Sequence, residues 1–205
     1  MILPIVLIGD PILRMKCKPV AMVTEEIHTL AAHMLETMHE AHGVGLAAPQ
    51  VARGLQLAVI QLPPQDPEKP NTTFVKLDGE TIPVDALGPV VFINPQLELR
   101  KEKLDGEEGC LSIPGFRADV RRACTIKVTF MALDGATHTI ECDGLLARAF
   151  QHEFDHLQGI LFIDRLSAAA KLGAGRKIKR MQQEWAEDGI THAQQLRADD
   201  DDEED

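Results

Sequence analysis

The segment Gln151–His156, QHEFDH, constrains the fold of this chain more than any other. In a helix, positions i and i+4 differ by about 40° of rotation and roughly 6 Å of rise, so His152 and His156 project from one face and can share an ion. Glu153 lies about 100° round from His152, off that axis but within reach of a water on the ion. Two imidazoles leave an ion short of a third protein ligand. Either these are ordinary hydrogen-bonded histidines of a helix, or they hold an ion and the fold brings a further ligand to them.

Three places offer that ligand. The pattern extends toward HExxHxxGxxH, with Gly159 in place, but Phe162 stands where the third histidine belongs. A thermolysin-like site would use a downstream carboxylate, at Asp164 or Glu184. Upstream, Cys110 sits in GEEGCLSIPGFR, too rich in Gly and Pro for a helix and suited to a loop or edge strand beside it. A thiolate with two imidazoles leaves one position open, as a catalytic ion requires. Residue types alone leave all three standing.

Around this helix the periodicity is mostly strand-like. Apolar residues Ile27, Ala31, Met34, Leu35 and Met38 follow helical spacing between Thr24, a suitable N-cap, and Gly43, a suitable stop. Strand-like runs follow at LQLAVIQL, PVVFINP, QLELRKEK, TIKVTFMAL and THTIEC, with Asp134-Gly135 as a hairpin turn. The metal helix is expected to start after Asp143 and run to about Gln158, with Gly159 at its end. Between the first two strands, the Pro-rich stretch from Pro63 to Gly88 reads as a surface excursion with its own hairpin at Asp78-Gly79. Beyond Ser167 the chain is helical in tendency, broken near Gly173 and Gly175. The architecture expected is α+β, with antiparallel strands packed around a central helix carrying HExxH and a helical C-terminal extension. The division expected is a catalytic domain over 1–167, the extension over 168–198 and a disordered acidic tail over 199–205.

Composition narrows the class. No apolar run reaches the roughly 18 residues that span a bilayer, and the start resembles no signal peptide, so the expectation is a cytoplasmic protein without a membrane partner. The formal charge of −11 falls to −4 without the seven acidic residues of Asp199–Asp205, and a run of like charge at a terminus reads as solvated. Specific DNA binding gains no support from it. Cys17, Cys124 and Cys142 are expected to be reduced core residues, and Cys110 stands apart from them.

GVGLAAPQ (Gly43–Gln50), EGCLS (Glu108–Ser112) and QHEFDH, in this order and spacing, resemble the three signature motifs of the peptide deformylase family. The resemblance runs from IGDPILR to about Leu166 and implies a hydrolase of protein biosynthesis that removes the formyl group from the N-terminal formylmethionine of nascent polypeptides, releasing formate. It implies Cys110, His152 and His156 as ligands of one divalent metal, Fe(II) first, with Zn, Ni or Co as substitutes. It implies that Glu153 moves the proton of an activated water, and that Gln50 and the backbone N–H of Leu111 stabilise charge on the formyl oxygen. Val44, Leu145 and Ala149 match the methionine pocket, while Gly45, Gly109 and Arg117 lie along the extended peptide. Gln151 and Asp155 are either supports of the site or merely exposed.

Two departures qualify the resemblance. The stretch over 63–88 exceeds what common bacterial members carry, and the extension resembles tails that contact the ribosome; its cluster of Arg176, Lys177, Lys179 and Arg180 reads either as a contact to ribosomal RNA, which the acidic end would oppose, or as a solvated helix face. A metalloprotease and a non-catalytic metal- or ribosome-binding relative are the competing readings. The absent histidine at position 162 weighs against the first, and the presence of Glu153 and Gln50 against the second.

Overall fold

The computed structural model describes residues 1–66 and 68–201, with side chains through Glu184. Its main sheet has seven antiparallel strands, ordered from Gly45–Ala47 at one edge through Leu57–Ile60, Val90–Leu99, Thr125–Met131, Thr137–Asp143 and Val75–Leu77 to Glu80–Ile82 at the other. These are β1 (Gly45–Ala47), β2 (Leu57–Ile60), β3 (Val75–Leu77), β4 (Glu80–Ile82), β5 (Val90–Leu99), β8 (Thr125–Met131) and β9 (Thr137–Asp143). A separate two-stranded ribbon joins β6 (Lys103–Cys110) to β7 (Ile113–Ala123). The helices are α1 (Glu25–Glu40), α2 (Gly144–Leu157) and α3 (Ala168–Asp201).

Strand β2 shows how the layers form. Side chains alternate across a strand, so Leu57 and Val59 join Ala31, Met34 and Met38 of α1, while Ala58 and Ile60 join Leu146, Phe150 and Leu157 of α2. A strand covered on both faces must be apolar throughout, and all four of its residues are buried. Phe150 packs edge-on against Phe92 of β5, with ring centroids 5.1 Å apart. The HExxH helix is thereby held against the sheet by its apolar face. A third core, with Leu13, Ile113, Phe162 and Ile163, joins the ribbon to the segment after α2.

Several local expectations are met by the physics that motivated them. At Asp134-Gly135 the Ala132 N–H bonds Ala136 O at 2.9 Å and Gly135 takes φ +81°. Asp78 and Gly79 both have positive φ between β3 and β4, as a tight hairpin requires. Gly159, just past α2, has φ +72° and donates to His156 O at 3.1 Å.

Other expectations are corrected. PVVFINP and the QLEL that begins QLELRKEK are one strand, β5, with a register irregularity between Ile93 and Gln96 where Asn94 takes φ +51°, and Lys103 at the end of that run already starts β6. The stop of α1 falls one residue early: His42 adopts the left-handed conformation and Gly43 N closes the turn on Met38 O at 2.8 Å. The stretch over 63–88 is more than a surface excursion, since β3 pairs with β9 and both Thr72 and Val75 are buried. Helix α3 runs unbroken through Gly173 and Gly175. A glycine in an exposed helix costs only about 1 kcal/mol against alanine, and Ile178 and Met181 anchor this helix to the third core. Asp202–Asp205, the end of the expected acidic tail, lie outside the described residues. Cys17 and Cys142 are buried as expected, but Cys124 is only half-buried, and all four thiols are free.

Candidate active site

Cys110 ends β6 at a register shift of the ribbon, and that end lies beside α2. One donor atom each from Cys110, His152 and His156 lies within 4.8 Å of the others. Cys110 Sγ is 3.3 Å from His156 Nε2. The other two candidate ligands are engaged elsewhere: Asp164 pairs with Arg14 and accepts from Leu161 N, and Glu184 pairs with Arg180. Phe162, in the place of a third histidine, lies 5.9 Å from the His152 ring at an interplanar angle of 27°. It covers the cluster as an apolar wall.

The His152 imidazole is oriented from behind, whereas the buried Nδ1 of His156 has no partner among the described residues. Glu108 Oε2 accepts from His152 Nδ1 at 2.9 Å, which turns Nε2 toward the cluster, where that nitrogen can bind a metal once it gives up its proton. Glu108 is itself held by both ends of the Arg122 guanidinium, at 2.9 Å each, and by Arg148 at 2.8 Å. Arg122 continues to Asp155, which also accepts from Arg165 at 2.6 and 3.1 Å. Burial pushes the Glu108 carboxyl up, but the bonds from Arg122 and His152 and their charges outweigh it and hold it at about 2. Burial, reinforced by the neighbouring His152, keeps His156 well below its ordinary value and therefore neutral. A thiol and two ring nitrogens on one side, with a fixed tautomer behind, fit a divalent transition metal.

Glu153 faces the cleft from the same helix. Burial raises its carboxyl to about 7. Its Oε2 has no hydrogen-bond partner although it is buried. A buried, unpartnered oxygen beside three metal-type donors is a group waiting for a ligand. Gln50, 2% exposed in the 3-10 turn Ala48–Val51, accepts from Ala47 N through Oε1 at 2.8 Å. That bond turns its Nε2 toward Ser112 Oγ at 3.2 Å and Cys110 Sγ at 3.5 Å.

These groups open on a cleft of about 730 Å³. Val44, Gly45, Gly109, Leu111, Arg117, Leu145 and Ala149 all line it, with Gln50, Cys110, His152 and Glu153. Leu111 lies in the turn between β6 and β7, close against Gly43. Arg117 is exposed, lies over Gly109 and pairs with Glu107 at 3.0 Å. Gln151 and Asp155 are buried, not exposed: Gln151 bridges Ala123 N and O at 3.0 Å each, and Asp155 anchors the arginines. Sequence reasoning assigned nothing to Glu108, Arg122 or Arg148. The signal for Glu108 was its place two residues before Cys110, which puts both on one face of an extended strand.

Three metal-type donors with an unpaired carboxylate beside them on the wall of an open cleft make the site of a metal-dependent hydrolase. Comparison with known proteins narrows that class. The family model described as Polypeptide deformylase matches residues 2–172. The peptide deformylase of Opitutus terrae is 40% identical over 184 residues, covering 88% of this chain and 93% of that protein. The crystal structure of peptide deformylase from Ehrlichia chaffeensis superposes with a TM-score of 0.75 at 32% identity, over 89% of this chain and 98% of that one. A Met-Ala-Ser-bound structure of the enzyme from Acinetobacter baumannii has a TM-score of 0.68 at 34% identity, over 81% and 99%. This chain belongs to the peptide deformylase family, metal-dependent hydrolases that remove the N-formyl group from nascent polypeptides.

Proposed function

We propose that Cys110, His152 and His156 hold one Fe(II) ion and that the cleft beside it hydrolyses the formyl group of N-terminal formylmethionine. The convergence of the three donor atoms within 4.8 Å of one another carries this reading. When bound, such an ion supplies Lewis acidity and makes water nucleophilic near neutral pH. Glu153 would accept the proton of that water at Oε2 and return it to the leaving amine. Gln50 Nε2 and the Leu111 N–H donate to the oxygen on which charge develops, and losing one such donor costs about 100- to 1,000-fold in rate. Val44, Leu145 and Ala149 receive the methionine side chain. The peptide lies extended between Gly45 and Gly109, with Arg117 beside it, through backbone bonds indifferent to its sequence. The Acinetobacter baumannii enzyme with Met-Ala-Ser bound supports a peptide of this kind in the cleft.

The test is formate release from a formyl-Met peptide by anaerobically purified protein, with bound metal quantified and Cys110→Ala alongside. Turnover with one iron per chain, lost together with the metal in the variant, is expected. No turnover despite one metal per chain would overturn the reading.

We take residues 1–167 as the catalytic unit, working in the cytoplasm where nascent chains emerge, and 168–198 as an appended element that contacts the ribosome. No helix among the described residues is long and apolar enough to cross a membrane. Lys177 is already bonded to Gly115 O at 2.7 Å and Arg180 to Glu184 at 2.6 Å. Neutralising Arg176, Lys177, Lys179 and Arg180 together should abolish co-sedimentation with ribosomes, and unchanged co-sedimentation would remove the contact.

A further inference from the structure

The segment between β2 and β3 is built against the start of the metal-bearing helix. Asp143 occupies the N-cap of α2, yet its carboxylate makes no bond to that helix. It accepts instead from Thr73 N at 2.7 Å, from Phe74 N at 3.2 Å and from the Thr73 hydroxyl. The first N–H groups of a helix have no partner within it. Here Leu145 N donates to Asn71 O at 2.7 Å and Leu146 N to Thr72 Oγ1 at 3.1 Å. Gln65 Oε1 accepts from Asn71 N and Thr72 N at 3.0 Å each, which ties the capping residues together. Gly144 has φ +58°, and a Cβ there would stand 2.8 Å from Asn71 C and 2.9 Å from Thr72 Cα. The two backbones meet with no room for a side chain.

We propose that Thr72 is a positioning residue that sets the methionine pocket by capping α2 from outside. The proposal rests on the deformylase reading of the cleft. Leu145 is the pocket residue at this end of α2, only half-buried, and its own N–H and that of Leu146 make the two bonds that join α2 itself to the segment. His152 and Glu153 lie two turns further on, where the bond from His152 to Glu108 of β6 gives the helix a hold that does not pass through this segment. Loss of the Thr72 hydroxyl moves the wall of the pocket more than the reacting groups. An apolar pocket discriminates by about 10- to 200-fold per methylene, so the displacement reads out as side-chain preference.

The experiment compares kcat/KM for formate release from formyl-Met-Ala-Ser and formyl-Ala-Ala-Ser in wild type, Thr72→Val, Thr72→Ser and Gln65→Ala. Valine keeps the shape and removes the acceptor; serine keeps the acceptor. Thr72→Val is expected to lower the preference for methionine by about 3- to 10-fold, with Thr72→Ser retaining it. Gln65→Ala, which loosens the segment without touching α2, shifts the preference the same way and decides the matter if Thr72→Val does not fold. An equal fall for both peptides, or a lower Tm with unchanged preference, overturns the proposal. Absence of formate from the wild type with either peptide overturns the deformylase reading itself, a result distinct from a wild type that is active and a variant whose preference is unaltered.

Discussion

The carboxylate of Glu153 occupies the space in which a side chain at Gly45 would begin. A Cβ there would lie 2.8 Å from Glu153 Cδ and 2.9 Å from Cγ, and closer still to Oε1. Gly45 is in a strand and has no positive φ, so its backbone accepts alanine; the nearest obstacle is the neighbouring acid. Gly45→Ala should therefore displace Glu153 while leaving the sheet intact. A displacement of about 1 Å at a reacting group costs on the order of 100-fold in rate. Formate release from a formyl-Met peptide, measured beside a thermal melt, checks this: a large fall in kcat with a small fall in Tm is expected, and near-normal turnover would count against Glu153 as the base.

Glu108 makes a second prediction because it acts on His152 without reaching the cluster itself. Its bond to Nδ1 fixes the tautomer that leaves Nε2 free, and loss of such a partner typically weakens metal binding by about 10- to 100-fold. Glu108→Gln should lower affinity by that factor, as read by competition with a chelator. Cys110→Ala, which removes a ligand, should lose far more.

How much of this was legible in advance depended on how far apart the interacting residues lie. The metal helix, its Gly159 terminus and the two hairpins depend on local periodicity and turn chemistry, and these showed in the sequence. The convergence of Cys110 with the histidines was an open choice among three places until motif resemblance favoured one. Asp143 illustrates the limit: its type and position are those of an N-cap, but its carboxylate serves Thr73 and Phe74, about 70 residues earlier. Thr72, which caps α2 instead, carries no local signal of that role. Arg122 likewise looks like any strand arginine until the fold buries it between Glu108 and Asp155. Long-range ionic networks leave no periodic trace.

The four thiols should differ sharply in reactivity. Burial raises Cys17 to about 11 and drives Cys142 higher still, so both stay protonated at pH 8, and both are closed to reagent. Cys110 and Cys124 are half-buried. Alkylation at pH 8 followed by peptide mapping should label these two first. Loading the protein with Zn should protect Cys110 and leave Cys124 labelled at the same rate. Protection of Cys124 alone would place the ion elsewhere.

Acid should destabilise the fold through Glu108. Its carboxyl sits at about 2 in the folded chain against an ordinary value of 4.5. Between these values the unfolded chain binds a proton that the folded chain refuses, so stability falls as pH falls. The stabilisation is fully present above about 4.5 and is lost on the way down to about 2; a shift of that size corresponds to on the order of 3 kcal/mol. Asp155 and Glu108 share Arg122, so protonating Glu108 also leaves a buried guanidinium with one carboxylate where it had two. Glu108→Gln has no carboxyl to titrate at this position and should lack this part of the acid slope. Urea unfolding of both proteins from pH 6 to pH 3, with chelator present so that metal release does not contribute, should show the gap between them narrowing as the pH drops. A gap that stays constant across that range would mean that Glu108 is not held ionised by Arg122 in the folded state.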